Sequence, residues 1–155
     1  MPACQLGDDR IVSAQAVRAV QPDDRRTLAG AINLARTPAW ERDLSTALSH
    51  ARGQGKKVVM VDFYTDWCGW CRKLDETTYA DPAVQSTLKQ MVTVKLDAER
   101  DGHADAEHYG VEGFPTVLFL DARGVEVARI PGYLPPGEFL DQLNEIGRRS
   151  MGLET

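Results

Sequence analysis

The stretch Val58-Val59-Met60-Val61-Asp62-Phe63-Tyr64-Thr65-Asp66-Trp67-Cys68-Gly69-Trp70-Cys71 carries the reading of this chain. Residues 58–64 are aliphatic or aromatic except for Asp62, with no polar–apolar alternation. That is the pattern of a central strand buried on both faces. A short loop follows, then two cysteines separated by Gly69 and Trp70. The segment predicts a strand that empties into a CxxC turn at the start of a helix. Thiol–disulfide exchange is the chemistry such an arrangement supports.

Two other readings of the cysteines are weaker. A zinc site needs a second pair of ligands. No second CxxC exists, and His103 and His108 are five residues apart, which does not place both on one helical face as H-x₃-H does. A purely structural disulfide would close a very small loop and restrain the unfolded chain little. In the redox reading the residues have distinct roles. Cys68, at a helix N-terminus, feels unpaired N–H groups and the positive end of the helix dipole, which favour its thiolate. Cys71, about one turn further in, is expected to be more buried, less acidic and able to resolve a mixed disulfide. Gly69 is read as permitting a tight turn. Trp70 fills the slot where a proline would stiffen the loop.

The totals set the frame. A length of 155 residues fits one domain with a modest extension and buries a core without disulfide staples. The net charge of −5, with no Lys/Arg-rich run, argues against a nucleic-acid partner. No apolar run approaches the ~20 residues that span a bilayer. Residues 1–10 lack the positive-then-apolar pattern of a secretory leader, which leaves a cytosolic chain or a processed one. The third cysteine, Cys4, is read as a bystander in a terminal tail.

The chain divides into an N-terminal extension (1–37), a domain (38–150) and a short tail (151–155). A helix is predicted from Pro38, capped by Thr37, with Trp40, Leu44, Ala47, Leu48 and Ala51 on one face and Gly53-Gln54-Gly55 as its stop. After the CxxC the helix is expected to continue through Glu76. Asp81-Pro82 starts another, with Val84 and Leu88 buried. Residues 91–97 form a second strand, 104–109 a short helix and 114–120 a third strand. A turn at Asp121-Ala122-Arg123-Gly124 leads to a fourth strand at 125–130. Phe139, Leu140, Leu143 and Ile146 mark a closing helix. The fold class is α/β, a mixed central sheet with a parallel first pair, an antiparallel terminal hairpin and helices on both faces.

Asp62 stands out on its apolar strand. An ionised carboxylate buried there is costly, and the usual response is a raised pKa; local hydrogen bonding or capping is the plainer alternative.

The segment from Asp62 to Cys71 resembles the active-site segment of thioredoxins. Phe114-Pro115-Thr116 resembles their cis-proline loop and Lys95-Leu96-Asp97 their middle strand. The resemblance covers roughly residues 40–149. Within that superfamily, Thr77-Thr78-Tyr79-Ala80-Asp81-Pro82-Ala83-Val84 is similar to the C-terminal domain of the periplasmic interchange reductase DsbD and its single-domain relatives. The resemblance implies a thioredoxin-like three-layer sandwich and a protein-disulfide reductase or electron carrier. Cys68 would be the nucleophile, Cys71 the resolver and Asp62 the proton acceptor for Cys71. Lys95 would lie beside Asp62 and tune its charge, a solvated strand-edge lysine being the alternative.

By the same resemblance, Pro115 would follow a cis bond and Phe114 would offer its backbone to a substrate strand. Trp67 and Trp70 would form an apolar lip for partners, although Trp67 could equally be a core residue; Trp40 is read as core. No metal or organic cofactor is required beyond the cysteine pair. The partners expected are protein disulfides and an upstream redox partner that recycles the dithiol, with no nucleic acid and no membrane span, and the chain is expected to be a monomer. The DsbD-like segment favours the periplasm. An oxidase, an isomerase or a non-catalytic binding module of the same fold are the alternatives, and Trp70 is the departure from plain thioredoxin on which the redox potential turns.

Overall fold

The computed structural model describes residues 38–150. The extension (1–37), with Cys4, and the tail (151–155) lie outside the described residues.

In chain order the elements are β1 (Trp40–Glu41), α1 (Leu44–Gln54), β2 (Val59–Tyr64), α2 (Gly69–Lys73), a π-helical turn (Leu74–Thr78), α3 (Pro82–Leu88), β3 (Val92–Asp97), α4 (His103–His108), β4 (Thr116–Leu120), β5 (Glu126–Pro131) and α5 (Pro136–Ser150). The sheet has five strands in the order β1-β3-β2-β4-β5. β3 runs parallel to both β1 and β2, while β4 is antiparallel to β2 and β5. The mixed α/β sandwich expected from the sequence is the architecture observed.

Two expectations are corrected at the start of the domain. The first helix begins at Leu44, not Pro38, and the residues before it form a fifth strand. Asp43 is the cap: its backbone is extended and its Oδ2 accepts from the Thr46 amide at 2.8 Å and from the Ser45 and Thr46 hydroxyls. Trp40 pairs with Thr93 across the sheet edge, so its helical spacing to Leu44 has no helix beneath it. The helix does stop as expected. Gly55 takes the left-handed conformation (φ 65°), and its N–H and that of Lys56 close the end.

β2 organises the core because its side chains alternate between two faces. Val59, Val61 and Phe63 pack with Leu44, Ala47 and Ala51 of α1 and with Val94, Leu96, Leu118 and Leu120. Met60 packs on the other side with Leu74, Val84, Leu88, Val117, Phe119, Phe139, Leu143 and Ile146. Each large side chain buried here contributes roughly 1.5–3 kcal/mol of apolar transfer. Asp62 shares the alternation of Met60, so a carboxylate enters the second cluster.

A third correction follows the CxxC. The helix does not continue regularly through Glu76; α2 gives way at Leu74 to a π-turn, in which the Tyr79 amide reaches back five residues to the Leu74 carbonyl at 2.9 Å. Thr77 and Thr78 pin this turn to the loop before α5. Thr77 Oγ1 lies 3.0 Å from Tyr133 Oη, and Thr78 Oγ1 donates to the Leu134 carbonyl at 2.7 Å. Asp81 then caps α3 through the Ala83 and Val84 amides, with Pro82 at its first position, as the sequence indicates.

Candidate redox site

The strand β2 delivers the chain to Cys68, which is the N-cap of α2. Its backbone is extended, and its Sγ accepts the Cys71 amide at 3.1 Å. Cys68 and Cys71 are joined as a disulfide, with Cα atoms 5.3 Å apart. The expected difference in burial is not found: each cysteine is 5 % exposed. The short loop tucks the N-cap residue under its neighbours as closely as the helical one. Gly69 sits inside the first turn of α2 without a positive φ, and a Cβ there would meet nothing within 4 Å. The backbone therefore does not demand glycine for a turn. What glycine leaves is open space beside Cys68.

The rim around the pair is aromatic. Trp67 is 65 % exposed and Trp70 56 % exposed, so neither is a core residue. Trp67 meets Phe114 edge-on at 6.1 Å, and its Nε1 donates to Glu99 Oε1 at 2.6 Å. Phe114 leads into Pro115 through a cis peptide bond. On the other flank Trp70 packs on Tyr133 at 5.4 Å, and the Lys73 ammonium lies over both rings, 5.1 and 5.3 Å from their centroids. One tryptophan before Cys68 and one between the cysteines thus each engage an aromatic side chain from a different loop. Trp40, read from the sequence as core, is half-buried and packs on Tyr79 at 5.1 Å.

Behind the rim lies a charged cluster. Asp62 is 1 % exposed and stands in register with Lys95 on β3. The Lys95 ammonium is 3.7 Å from Asp62 Oδ2 and is also bound to Asp75 Oδ1. Lys95 is no solvated edge residue: its side chain is 15 % exposed and is enclosed by the rings of Trp40, Tyr64 and Tyr79. Burial raises the Asp62 pKa to about 6, with Lys95 pulling it down and Asp75 pushing it up. Asp62 Oδ1 accepts no hydrogen bond in ordinary geometry.

Two residues here escaped the sequence reading. Asp75 is part of the π-turn and shares the Lys95 ammonium; its place one turn beyond Cys71 was the available signal. Tyr79 follows the π-turn and buries its ring, with Phe139 edge-on at 5.7 Å. Among the described residues no group of three or more His, Cys, Asp or Glu side chains is placed to hold a metal.

Comparison with known proteins places this geometry. A family model described as a thioredoxin-like domain matches residues 44–147. The chain belongs to the thioredoxin-like domain family. It is similar to the thiol:disulfide interchange protein DsbD of Actinobacillus pleuropneumoniae, 40 % identical over 98 residues, covering 60 % of this chain and 17 % of that protein. DsbD of Vibrio vulnificus is also 40 % identical over 98 residues, with 60 % and 16 % covered. The chain thus spans about a sixth of the length of these relatives.

Among solved structures, a thioredoxin from Thermus thermophilus superposes with a TM-score of 0.66 at 28 % identity, covering 74 % of this chain and 90 % of that one. The oxidised C-terminal domain of Neisseria meningitidis DsbD shares the fold, with a TM-score of 0.60 at 21 % identity, covering 69 % and 98 %. A thioredoxin-like domain that closes Cys68 on Cys71 in this way holds a cysteine pair able to open and close by thiol–disulfide exchange. No helix among the described residues of this thioredoxin-like chain is long and apolar enough to cross a membrane.

Proposed function

We propose that the chain is a protein-disulfide reductant, an electron carrier that takes two electrons from an upstream dithiol and passes them to disulfides in partner proteins. The observation that carries this reading is the Cys68–Cys71 pair at the start of α2, ringed by exposed Trp67 and Trp70. The aromatic rim suits a polypeptide partner, since amphipathic rings bury a large area at little entropic cost. The similarity to DsbD, a thiol:disulfide interchange protein, supports exchange with disulfides.

The cycle starts from the dithiol. Cys68 attacks as a thiolate, favoured by the Cys71 amide that points at its sulfur. A bond forms from Cys68 Sγ to one sulfur of the target, the target disulfide breaks, and its other sulfur leaves as a thiolate that takes a proton from solvent. Asp62, ionised, accepts the proton of the Cys71 thiol. Cys71 then attacks Cys68 Sγ, closing the disulfide seen here and releasing the second target thiolate. Two electrons have moved to the target, and a partner dithiol restores the pair by the reverse exchange. Lys95 keeps Asp62 from becoming too weak an acid to ionise. Phe114 and Pro115 sit where a partner strand would lie along the rim.

Replacing Cys71 with Ser removes the resolver and should trap partners as mixed disulfides on Cys68, visible as dithiothreitol-sensitive adducts on non-reducing gels. Cys68→Ser should trap none. Adducts that form equally on both variants contradict the assignment of Cys68 as nucleophile. The potential of the pair tests the direction: a value near about −270 mV fits a reductant and one near about −120 mV an oxidant.

A further inference from the structure

Buried polar atoms ordinarily find partners, and those that do not call for a reason. Among the described residues the side-chain oxygens left buried without one are Asp62 Oδ1, Thr65 Oγ1 and Tyr79 Oη. Two of the three belong to one cluster. The Tyr79 ring is wedged between Trp40 and Phe139, with the Lys95 ammonium 5.6 Å from its centroid. The same ammonium lies 3.7 Å from Asp62 Oδ2. Phenol and carboxylate therefore flank one cation. The Tyr79 hydroxyl favours the ionised form of Asp62, and Asp62 in turn raises Tyr79, although neither Asp62 Oδ1 nor Tyr79 Oη meets a partner in full hydrogen-bond geometry here. Burial, reinforced by Asp62 and Asp75, pushes the Tyr79 hydroxyl well above its ordinary range, so it keeps its proton and serves as a donor.

We propose that Tyr79 is a positioning residue of the redox site: its hydroxyl turns to donate to the ionised Asp62 carboxylate and holds that carboxylate ready to take the proton of Cys71. The inference rests on the reading of Asp62 as proton acceptor given above. The proton passes from the Cys71 thiol to Asp62; Tyr79 gives none up and only relaxes its bond as the carboxylate is neutralised. The groups that act on Asp62 are Lys95 from β3, Asp75 from the π-turn and Tyr79 beyond it. Its register partner on β4, Val117, is apolar, as is Phe139 of α5, which packs on Tyr79. Lys95 stabilises the ionised form and Asp75 opposes it, which leaves Tyr79 as the uncharged donor.

The test reads the resolution step alone. Reduced protein mixed with one equivalent of dithiobis(nitrobenzoate) releases thionitrobenzoate twice, first as Cys68 is captured and then as Cys71 displaces the aromatic thiol. The rate of the second release, followed across the acid-to-neutral range, reports the Asp62 ionisation. In Tyr79→Phe its inflection should move up by about one pH unit, the worth of one hydrogen bond to a charge. At the wild-type midpoint, about pH 6, the second release should slow about fivefold while the first is unchanged. In an Asp62→Asn background Tyr79→Phe should change neither phase. Carboxyl carbon chemical shifts of Asp62 in the folded wild-type and Tyr79→Phe proteins give the same shift independently of rate. An inflection that stays in place, or moves equally when Asp62 is absent, overturns the role of Tyr79 and leaves Asp62 standing. If Asp62→Asn itself leaves the inflection unaltered, the proton-acceptor reading falls and this inference falls with it.

Discussion

In the proposed mechanism, Asp62 is the residue at which stability and function pull apart. Its carboxylate is 1 % exposed and its pKa is raised from 3.8 to about 6 by burial. The sign is set by proton binding. Between these values the folded chain holds a proton that the unfolded chain has lost, so the stability Asp62 contributes is fullest below about pH 4 and falls as pH rises through about 6. The loss amounts to up to about 3 kcal/mol. Asp62→Asn is therefore expected to be more stable than wild type near neutrality, with the gain vanishing in acid; urea unfolding on both sides of about pH 6 measures it. An unchanged difference between the two proteins across that range would place the raised pKa in doubt. Lys95→Met should act in the opposite sense on the carboxylate, raising the Asp62 pKa further, because the ammonium lowers it now. The carboxylate was legible from the sequence because one acid interrupts an apolar strand. Its neighbour Tyr79 was not, because its approach depends on a turn whose geometry no spacing announces, and Asp75 carried only the signal of its place one turn beyond Cys71.

At the scale of elements, the π-turn does the positioning. Its extra residue breaks the regular helical phase after α2 and lets Thr78 and Tyr79 both face inward. The anchor at its end is the Thr78 hydroxyl on the Leu134 carbonyl. Thr78→Val, which keeps shape and removes the donor, should cost about 1–2 kcal/mol in chemical denaturation. A loss within error would show that the turn is held by packing alone. Gly102, at the start of α4, gives a contrasting case. A Cβ there would meet Leu96 Cβ at 2.6 Å and the Asp97 carbonyl oxygen at 2.9 Å. Gly102→Ala is expected to destabilise by about 1–3 kcal/mol through overpacking against β3. The long periodic elements were legible: the strands 58–64 and 91–97 and the closing helix with Phe139, Leu143 and Ile146. The two-residue edge strand at Trp40 was not, since so short a pairing has no period and its residues can mimic the spacing of the helix that follows. Thr37-Pro38 imitates a helix start, but Asp43 holds the hydrogen bonds that make one.

Across residues 38–150, the sheet separates two packed faces and presents the redox pair after the end of β2, with side chains from the 133–134 loop, α2 and the Phe114–Pro115 segment around it. In the proposed function the rim is where partners are chosen. Trp70→Ala removes the half of the Trp70–Tyr133 pair that the CxxC itself supplies, and should lower kcat/KM for a protein disulfide about tenfold while leaving exchange with a small aromatic disulfide near wild type. Equal losses on both substrates would make Trp70 a determinant of the dithiol rather than of recognition. The central claim is that Cys68 begins the exchange, and insulin reduction tests it most directly. With dithiothreitol as electron source, the wild-type protein should accelerate precipitation of the insulin B chain and Cys68→Ser should remain at the dithiothreitol background. Turnover above background by the purified Cys68→Ser protein would contradict it.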